Sequence, residues 1–456
     1  MTINGLHEVL PKAVHIPFTK SDPLSTSNFV LAIDAPQILF ASTPISSHHT
    51  NHHLHHIFRK AQQLIMIGVV PVFCFDGKGP WRSSRRGLSS SDGGSARFDK
   101  QQNEASNLLK HMGCPVLFSV TTAESLASWL NHTGLADAVL SSDGDCFAYG
   151  ATTVFFSVDK TGGTGLRAPV VAGGREMKRE DYVAFACLAG SDECEGVKGI
   201  GGGKALRFLK AAGGDPLGVL KRLGEGGEGG EGGEGGEGGE GGKGEDNDDT
   251  EELQKAKLGI LRGIAKVNTT STSASTSSPF PSPRAISHYL NPPIPPSVSV
   301  TPSRPSMNGI LSYPTPFFGL SNPNHLRSDP ASSSSSHVKL THAVLRLVVR
   351  HSLIHGTRRR GGDIWKVSCT RITGKIAKVD GRDYYDVVWE AAGREGTVEG
   401  GKVFNFATKE RALLVERAWP EIVEEWRARM RKEEQGRNGG REARERMFGV
   451  GGGGGG

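Results

Sequence analysis

ADAVLSSDGDCFAYGA, residues 136–151, sets Asp143 and Asp145 two positions apart directly after an apolar run of strand type. In an extended segment residues i and i+2 share a face, so the two carboxylates would lean toward one divalent cation, with Gly144 keeping the space between them clear. An isolated Asp-Gly-Asp is also a common turn former. The company the stretch keeps decides between the two.

Other apolar runs end in acids as well. Asp34 closes NFVLAIDA, Asp76 closes VVPVFCFDG, and Asp192 follows the helical pattern DYVAFACLAGSD. Glu124 lies in the first turn of TTAESLASWL, where Leu126, Trp129 and Leu130 recur at helical spacing. Strands alternating with helices predict an α/β fold, and in open α/β sheets the carboxyl ends of the strands form the ligand crevice. The acids would converge there.

In order and wording these stretches resemble the structure-specific nucleases of the XPG and flap endonuclease type. NGLHEVLPKAV (4–14) looks like the family's amino-terminal segment, VLAIDA like its first strand and PVFCFDGKGP like its second acidic strand. LASWLNHTGLADAVLSSDGDCFAYGA is similar to the internal region, and LAGSDECEGVKGIGGGKAL (188–206) to the last acidic position followed by a helix-hairpin-helix. The SDGD wording, rather than SEDSD, is closest to the Holliday junction resolvase branch. The resemblance implies a PIN-like nuclease domain with a central, mostly parallel sheet flanked by helices. It also implies that Asp34, Asp76, Glu124, Asp143, Asp145 and Asp192 coordinate two Mg2+ ions, with Mn2+ as an alternative. Two cations about 3.5–4 Å apart suit hydrolysis of a phosphodiester, because they serve both the attacking and the leaving oxygen.

The chain departs from the family pattern at three places. The internal region normally opens Glu-Ala-Glu, but here it reads Thr122, Ala123, Glu124, so the first acid is absent. Thr2 stands where the family has Gly, and Pro36 follows Asp34 closely. Two readings of the Thr122 gap stay open: a nuclease whose other acids and waters fill it, and a weakened nuclease that still binds DNA junctions.

Two basic regions are candidate DNA contacts. Lys198, Gly199, Gly201, Lys204 and Arg207 belong to a glycine-rich turn that opens a helix, where backbone amides and lysines approach phosphates without reading sequence. Lys78, Arg82, Arg85 and Arg86, continuing to Arg97 and Lys100, fall where the family builds an arch over its active site. The histidines from His48 to His56 lead into LHHIFRKAQQLIMIG, and the helical spacing of Leu54, Ile57, Phe58, Ala61 and Leu64 assigns them to the polar side of a surface helix rather than to zinc. The six cysteines form no CxxC pair, which points to reduced thiols.

The 456 residues include 62 glycines and are 36% hydrophobic, enough for two modest cores. The reading assigns 1–212 to the nuclease domain: an amino-terminal region 1–110, an internal region 111–190 and the hairpin at about 188–212. Residues 213–250, rich in Glu-Gly-Gly, and 267–336, rich in Ser, Thr and Pro, are expected to be disordered linkers around a short helix at 251–266. In 363–390 apolar and polar residues alternate around a DG turn, and an amphipathic helix follows. That pattern resembles a chromodomain, so 337–432 is expected to be a small sheet-and-helix module and 433–456 a disordered tail. Trp365, Tyr384 and Trp389 are read as core before cage. No apolar run is long enough to cross a membrane, and the start of the chain has no signal-peptide core. A net charge of +6, with the acidic residues gathered in a linker, fits a nucleic-acid partner. The reading is a nuclear, Mg2+-dependent endonuclease for branched double-stranded DNA, with dimerisation on four-way junctions conceivable. An RNA-directed nuclease on the same fold is a weaker third reading.

Overall fold

Two apolar runs form the middle of the larger sheet. β2 (Phe29–Asp34) and β3 (Val69–Phe75) pair in parallel, with Leu31 opposite Pro71 and Ile33 opposite Phe73. Both are buried almost throughout, as strands covered on two faces must be. Pro71 is tolerated inside β3 for a local reason. Phe73 donates its N–H to Pro115 on the β4 side, so by alternation position 71 faces that side too, and pairing with β4 (Val116–Phe118) begins only at Phe73.

The structure, a computed structural model, describes residues 3–18, 29–41, 52–77, 94–159, 161–225, 251, 254–260, 280–303, 365–379, 382–393 and 403–448. The chain divides into two units, one of Met1–Lys110 and Cys114–Pro302, the other of His111–Gly113 and Ser303–Gly456.

In the first unit β1 (Val14–Pro17), β5 (Ala138–Leu140), β6 (Thr153–Val158) and β7 (Gly162–Arg167) complete a seven-stranded sheet of order β1-β7-β6-β5-β2-β3-β4. The five strands from β6 to β4 are parallel, and β7 and β1 close one edge antiparallel. This is the mostly parallel α/β sheet the sequence predicts. α2 (Ala35–Ala41), α3 (His52–Met66) and α5 (Ala123–His132) pack on its strands, and α4 (Gly94–His111) leads into β4. α7 (Arg179–Ala189) follows a hairpin of β8 (Val170–Ala172) and β9 (Arg175–Met177). It is buried from Asp181 to Ala189 and gathers α6 (Asp145–Ala148), α8 (Gly202–Ala212), α9 (Pro216–Glu225) and α10 (Pro283–Leu290) around itself. Each fully buried Leu or Phe there, such as Phe185 or Leu188, contributes about 1.5–3 kcal/mol. α1 (Leu6–Val9) rests on α8, where Gly202 approaches Gly5 so closely that a Cβ would lie 2.5 Å from its carbonyl oxygen.

The second unit is a three-stranded antiparallel sheet, β10 (Trp365–Val379), β11 (Arg382–Gly393) and β12 (Val403–Arg411), followed by α11 (Ala412–Ala418) and α12 (Pro420–Phe448). Pro420 takes the first helical position, where its missing N–H costs nothing. Trp389 is fully buried, donates its indole N–H to Thr408 Oγ1 at 2.8 Å and meets Trp419 edge-on. It is core, as its strand position suggested, and not the wall of an open cage.

The structure differs from the sequence reading in four places. Residues 280–303 fall in the stretch expected to be a disordered linker, yet α10 forms there and buries Ala285, Ile286 and Tyr289. Composition averaged over a long window hid a short amphipathic helix with its own cap. The folded first unit also runs past residue 212, since α9 buries Leu217 and Leu220 and residues 254–260 place Ile260 in the core. The expected tail is helical as far as Phe448, a continuation of α12 that is exposed over residues 431–439. Finally, His53 is not on a polar face: it is buried, 3.1 Å from Glu104 on α4, and burial holds its pKa below the usual value. Among the described residues all six cysteines are free thiols, and no helix is long and apolar enough to cross a membrane.

Candidate active site

Adjacent parallel strands lie about 4.8 Å apart, so side chains leaving their carboxyl ends form a row. β5, β2, β3 and β4 are neighbours in that order. Asp143 and Asp145 follow β5, Asp34 ends β2, Asp76 follows β3, and Glu124 starts α5 after β4. Asp192 joins them from the loop after α7.

The Asp-Gly-Asp stretch does not present two carboxylates from one extended face, and here the sequence argument is corrected. Gly144 is helical at φ −71, ψ −17, and α6 begins at Asp145. Asp143 Oδ1 accepts the Asp145 N–H at 3.0 Å, the turn bond short acidic side chains favour. The turn sends the two acids to different surroundings. Asp145 is 1% exposed, and its oxygens accept the Ile3 N–H at 2.8 Å and the Tyr289 hydroxyl at 2.9 Å. Asp143 stays partly exposed, and burial first, then Glu124 and Asp192, push its pKa up to about 6. Cys146 is pushed well up by burial and then by Asp143, Asp34 and Glu124. Four acids, Asp34, Glu124, Asp143 and Asp192, therefore act on shared surroundings.

The remaining contacts fix the limbs that carry these acids. Asp34 Oδ2 accepts the Ser141 hydroxyl at 3.1 Å, and Ser141 Oγ accepts the Asp143 N–H at 3.0 Å, which ties the ends of β2 and β5 together. Asp76 Oδ1 accepts the Ala123 N–H at 2.8 Å, capping the helix that presents Glu124. Thr122, where the family pattern has an acid, occupies the N-cap of α5 without making a side-chain cap bond, and its buried hydroxyl has no hydrogen-bond partner among the described residues.

Among the described residues no group of three or more His, Cys, Asp or Glu closes on a single ion position. The chemistry of the donor set nevertheless fits hard divalent cations: the donors are carboxylate oxygens, and after burial the nearby Glu124 and Asp192 add to the upward shift of Asp143.

Beyond the acids, α7 ends at Gly190 and the chain returns through a tight crossing, where Val197 donates to the Leu188 carbonyl at 2.8 Å. Gly196, at φ +76, sits where a Cβ would run into the Gly190 backbone. α8 then starts with Lys198, Gly199, Gly201, Lys204 and Arg207 all exposed, and Lys204 Nζ bonds the Gly199 carbonyl at 2.7 Å. Lys78, Arg82, Arg85 and Arg86 lie outside the described residues.

Five residues around the acids escaped the sequence reading: Tyr149, Ser191, Glu193, His288 and Tyr289. Tyr289 Oη stands 2.8 Å from Ser191 Oγ, and Tyr149 Oη lies 3.2 Å from Glu193 and 3.1 Å from His288. The Ser282-Pro283 start, a cap followed by proline at the first helical position, was the local signal for α10.

Residues 113–192, which hold Glu124, Asp143, Asp145 and Asp192, match the family model of the XPG I-region. Over 200 residues the chain is 33% identical to the protein named Flap endonuclease GEN of Drosophila melanogaster, and over 254 residues 27% identical to Flap endonuclease 1 of Saccharomyces cerevisiae (strain YJM789). These alignments cover 35% and 47% of this chain.

The chain carries an XPG I-region and is similar to flap endonucleases.

It spans about a quarter of the length of the fly relative, 27%, and 66% of the yeast one. The fold of the chain is similar to that of human GEN1 in complex with Holliday junction DNA, with a TM-score of 0.64 at 19% identity, covering 95% of this chain and 100% of that one. A GEN-1 structure binding potassium matches with a TM-score of 0.55 at 15% identity, covering 94% and 100%. The I-region holds four of the six acids, Glu124, Asp143, Asp145 and Asp192.

Proposed function

We propose that the protein is a metal-dependent, structure-specific endonuclease that hydrolyses phosphodiester bonds in branched DNA, at 5′ flaps or four-way junctions. The observation that carries this reading is the row of acids on the carboxyl edge of an I-region fold, with Asp143 held near pKa 6 by burial, Glu124 and Asp192. Asp34, Glu124, Asp143 and Asp192 would hold the cations, and Asp76 and Asp145 belong to the same set, each fixed by a backbone donor. When bound, two Mg2+ ions, or Mn2+ in their place, supply activation of water and neutralisation of the leaving oxygen. The chain's own contribution is placement. Ser141 joins the ends of β2 and β5, Asp76 fixes the start of α5, and the exposed amides and lysines of residues 198–207 suit the phosphates of a duplex arm. The I-region and the similarity to flap endonucleases support a nuclear site of action and a role in DNA repair and recombination. Pairing of two copies on a four-way junction is part of the same reading.

The experiment is cleavage of labelled 5′ flap, four-way junction, linear duplex and single-stranded RNA by the purified protein with Mg2+. Cuts near the branch point of flaps or junctions are expected, with little action on linear duplex. Equal cutting of RNA would overturn the assignment. A second reading, junction binding without cleavage, draws on Thr122, whose buried hydroxyl replaces a carboxylate. Tight binding of the same junction with no cuts at any Mg2+ or Mn2+ concentration would select it.

A further inference from the structure

We propose that residues 280–300 are an in-chain clamp on the acidic site, with Tyr289 as the positioning residue that fixes the Asp143–Asp145 turn and the loop carrying Asp192. The argument begins with Asp145. A carboxylate this deeply buried must be matched by donors, because an unpaired buried charge is far costlier than a hydrogen bond is worth. Its two described donors come from distant parts of the chain, the Ile3 amide and the Tyr289 hydroxyl. Asp145 in turn gives its N–H to Asp143, so a displacement of Asp145 is passed to a second of the acids.

The same phenol reaches the second limb. Tyr289 Oη, whose single proton goes to Asp145, lies 2.8 Å from Ser191 Oγ; Ser191 Oγ accepts the Glu193 N–H at 3.2 Å, and Asp192 lies between Ser191 and Glu193. One hydroxyl thus touches both segments whose acids must keep a fixed separation. The adjacent residue repeats the stitch: His288 Nδ1 meets Glu193 at 3.0 Å, and Tyr149, one turn beyond Asp145, reaches both. Arg179 holds the clamp down, donating to the carbonyls of Tyr289 at 2.6 Å and Leu290 at 3.0 Å from α7. α10 is joined to this core only after the long Glu-Gly-Gly and Ser/Thr stretches that follow α9, so nothing in the local sequence places it here; the buried polar contacts do.

The inference takes from the proposed function only the identity of the cation-holding acids, and its test is read without turnover. Mn2+ binding to the full-length protein is measured by calorimetry for wild type, Tyr289→Phe, Arg179→Met and Ser287→Ala, and branched-DNA cleavage is followed against Mn2+ concentration. Phe keeps the ring packed beside Tyr149 at 4.9 Å and removes only the hydroxyl. Tyr289→Phe is expected to weaken Mn2+ binding about 10-fold or more, the usual cost of losing a partner of a ligating carboxylate, and to raise the Mn2+ needed for half-maximal cleavage alike. Affinity for branched DNA should not change. Arg179→Met should move Mn2+ binding in the same direction, while Ser287→Ala, on the exposed side of α10, should not. Equal Mn2+ affinity of Tyr289→Phe and wild type overturns the inference even if both cut DNA, and so does a general melting loss in Tyr289→Phe with Mn2+ affinity intact. A wild type that binds Mn2+, loses it on Tyr289→Phe and cuts no branched DNA supports the clamp and removes the nuclease reading instead.

Discussion

At Asp143 burial and like charge act on one carboxylate. Its folded pKa of about 6 lies above that of an exposed aspartate, so the folded form takes up its proton first. In the absence of divalent cations this group therefore stabilises the fold as pH falls from 7 to below 4, and that contribution, up to roughly 3 kcal/mol, is lost as pH rises through 6. Melting of the metal-free protein should climb between pH 7.5 and 5, and Asp143→Asn should flatten the climb while abolishing cleavage and sparing junction binding. A slope unchanged in the variant would remove Asp143 as its source. Thr122 is the opposite case. Its hydroxyl is buried without a partner among the described residues, so Thr122→Val, of the same shape, should be neutral or stabilising by about 1 kcal/mol and leave cleavage unaltered. Loss of cleavage with full stability would show the hydroxyl at work in the site. The sequence placed Asp34 and Asp76 at the ends of apolar strands and Glu124 in the first turn of a helix, and the structure keeps each of them there. It could not show that Asp145 turns inward, because a turn bond and two donors from far along the chain decide that.

At the level of elements, the loop from α7 into α8 is built to bring backbone close to a ligand. Gly196 lets the chain cross Gly190, and Gly203 and Lys204 in the first turn of α8 are exposed, with the exposed Lys198 ahead of them. Lys204 also bonds the Gly199 carbonyl, which keeps its ammonium near the helix start. Removing one phosphate contact lowers the slope of log affinity against log salt by roughly one for duplex DNA. Lys204→Ala should therefore weaken binding to every duplex-bearing substrate alike and flatten the slope by about that amount, with cleavage at saturating enzyme little changed. An unaltered slope in a salt titration would move the duplex contact elsewhere. This loop was legible beforehand because glycine and lysine spacing is a local signal. α10 was not, since eight residues inside a Ser/Thr/Pro-rich stretch weigh little against its average composition, and only the docking of Tyr289 and Ile286 gives them a place.

Across the whole molecule, two cores are formed by two kinds of pattern. The first unit is organised by near-continuous apolar strands that must be covered on both faces, the second by alternation in β10 to β12 around Trp389. Trp389→Ala removes a fully buried indole and its bond to Thr408, which should cost the second unit about 3–5 kcal/mol. Mn2+ binding at the acidic edge should persist in that variant, and its loss in calorimetry would mean that the two cores do not stand separately. The sequence by itself determined the parallel α/β sheet, the strand-end positions of Asp34 and Asp76, the glycine-rich hairpin and the antiparallel sheet that follows, because periodicity and strand ends are properties of neighbouring residues. Only the tertiary structure decided that Asp145 is fully buried while Asp143 stays partly exposed, that His53 meets Glu104 inside, and that a helix within the second low-complexity stretch holds the acidic site. Each of these depends on which donors and apolar faces meet across more than fifty residues of chain, and no local pattern carries that information.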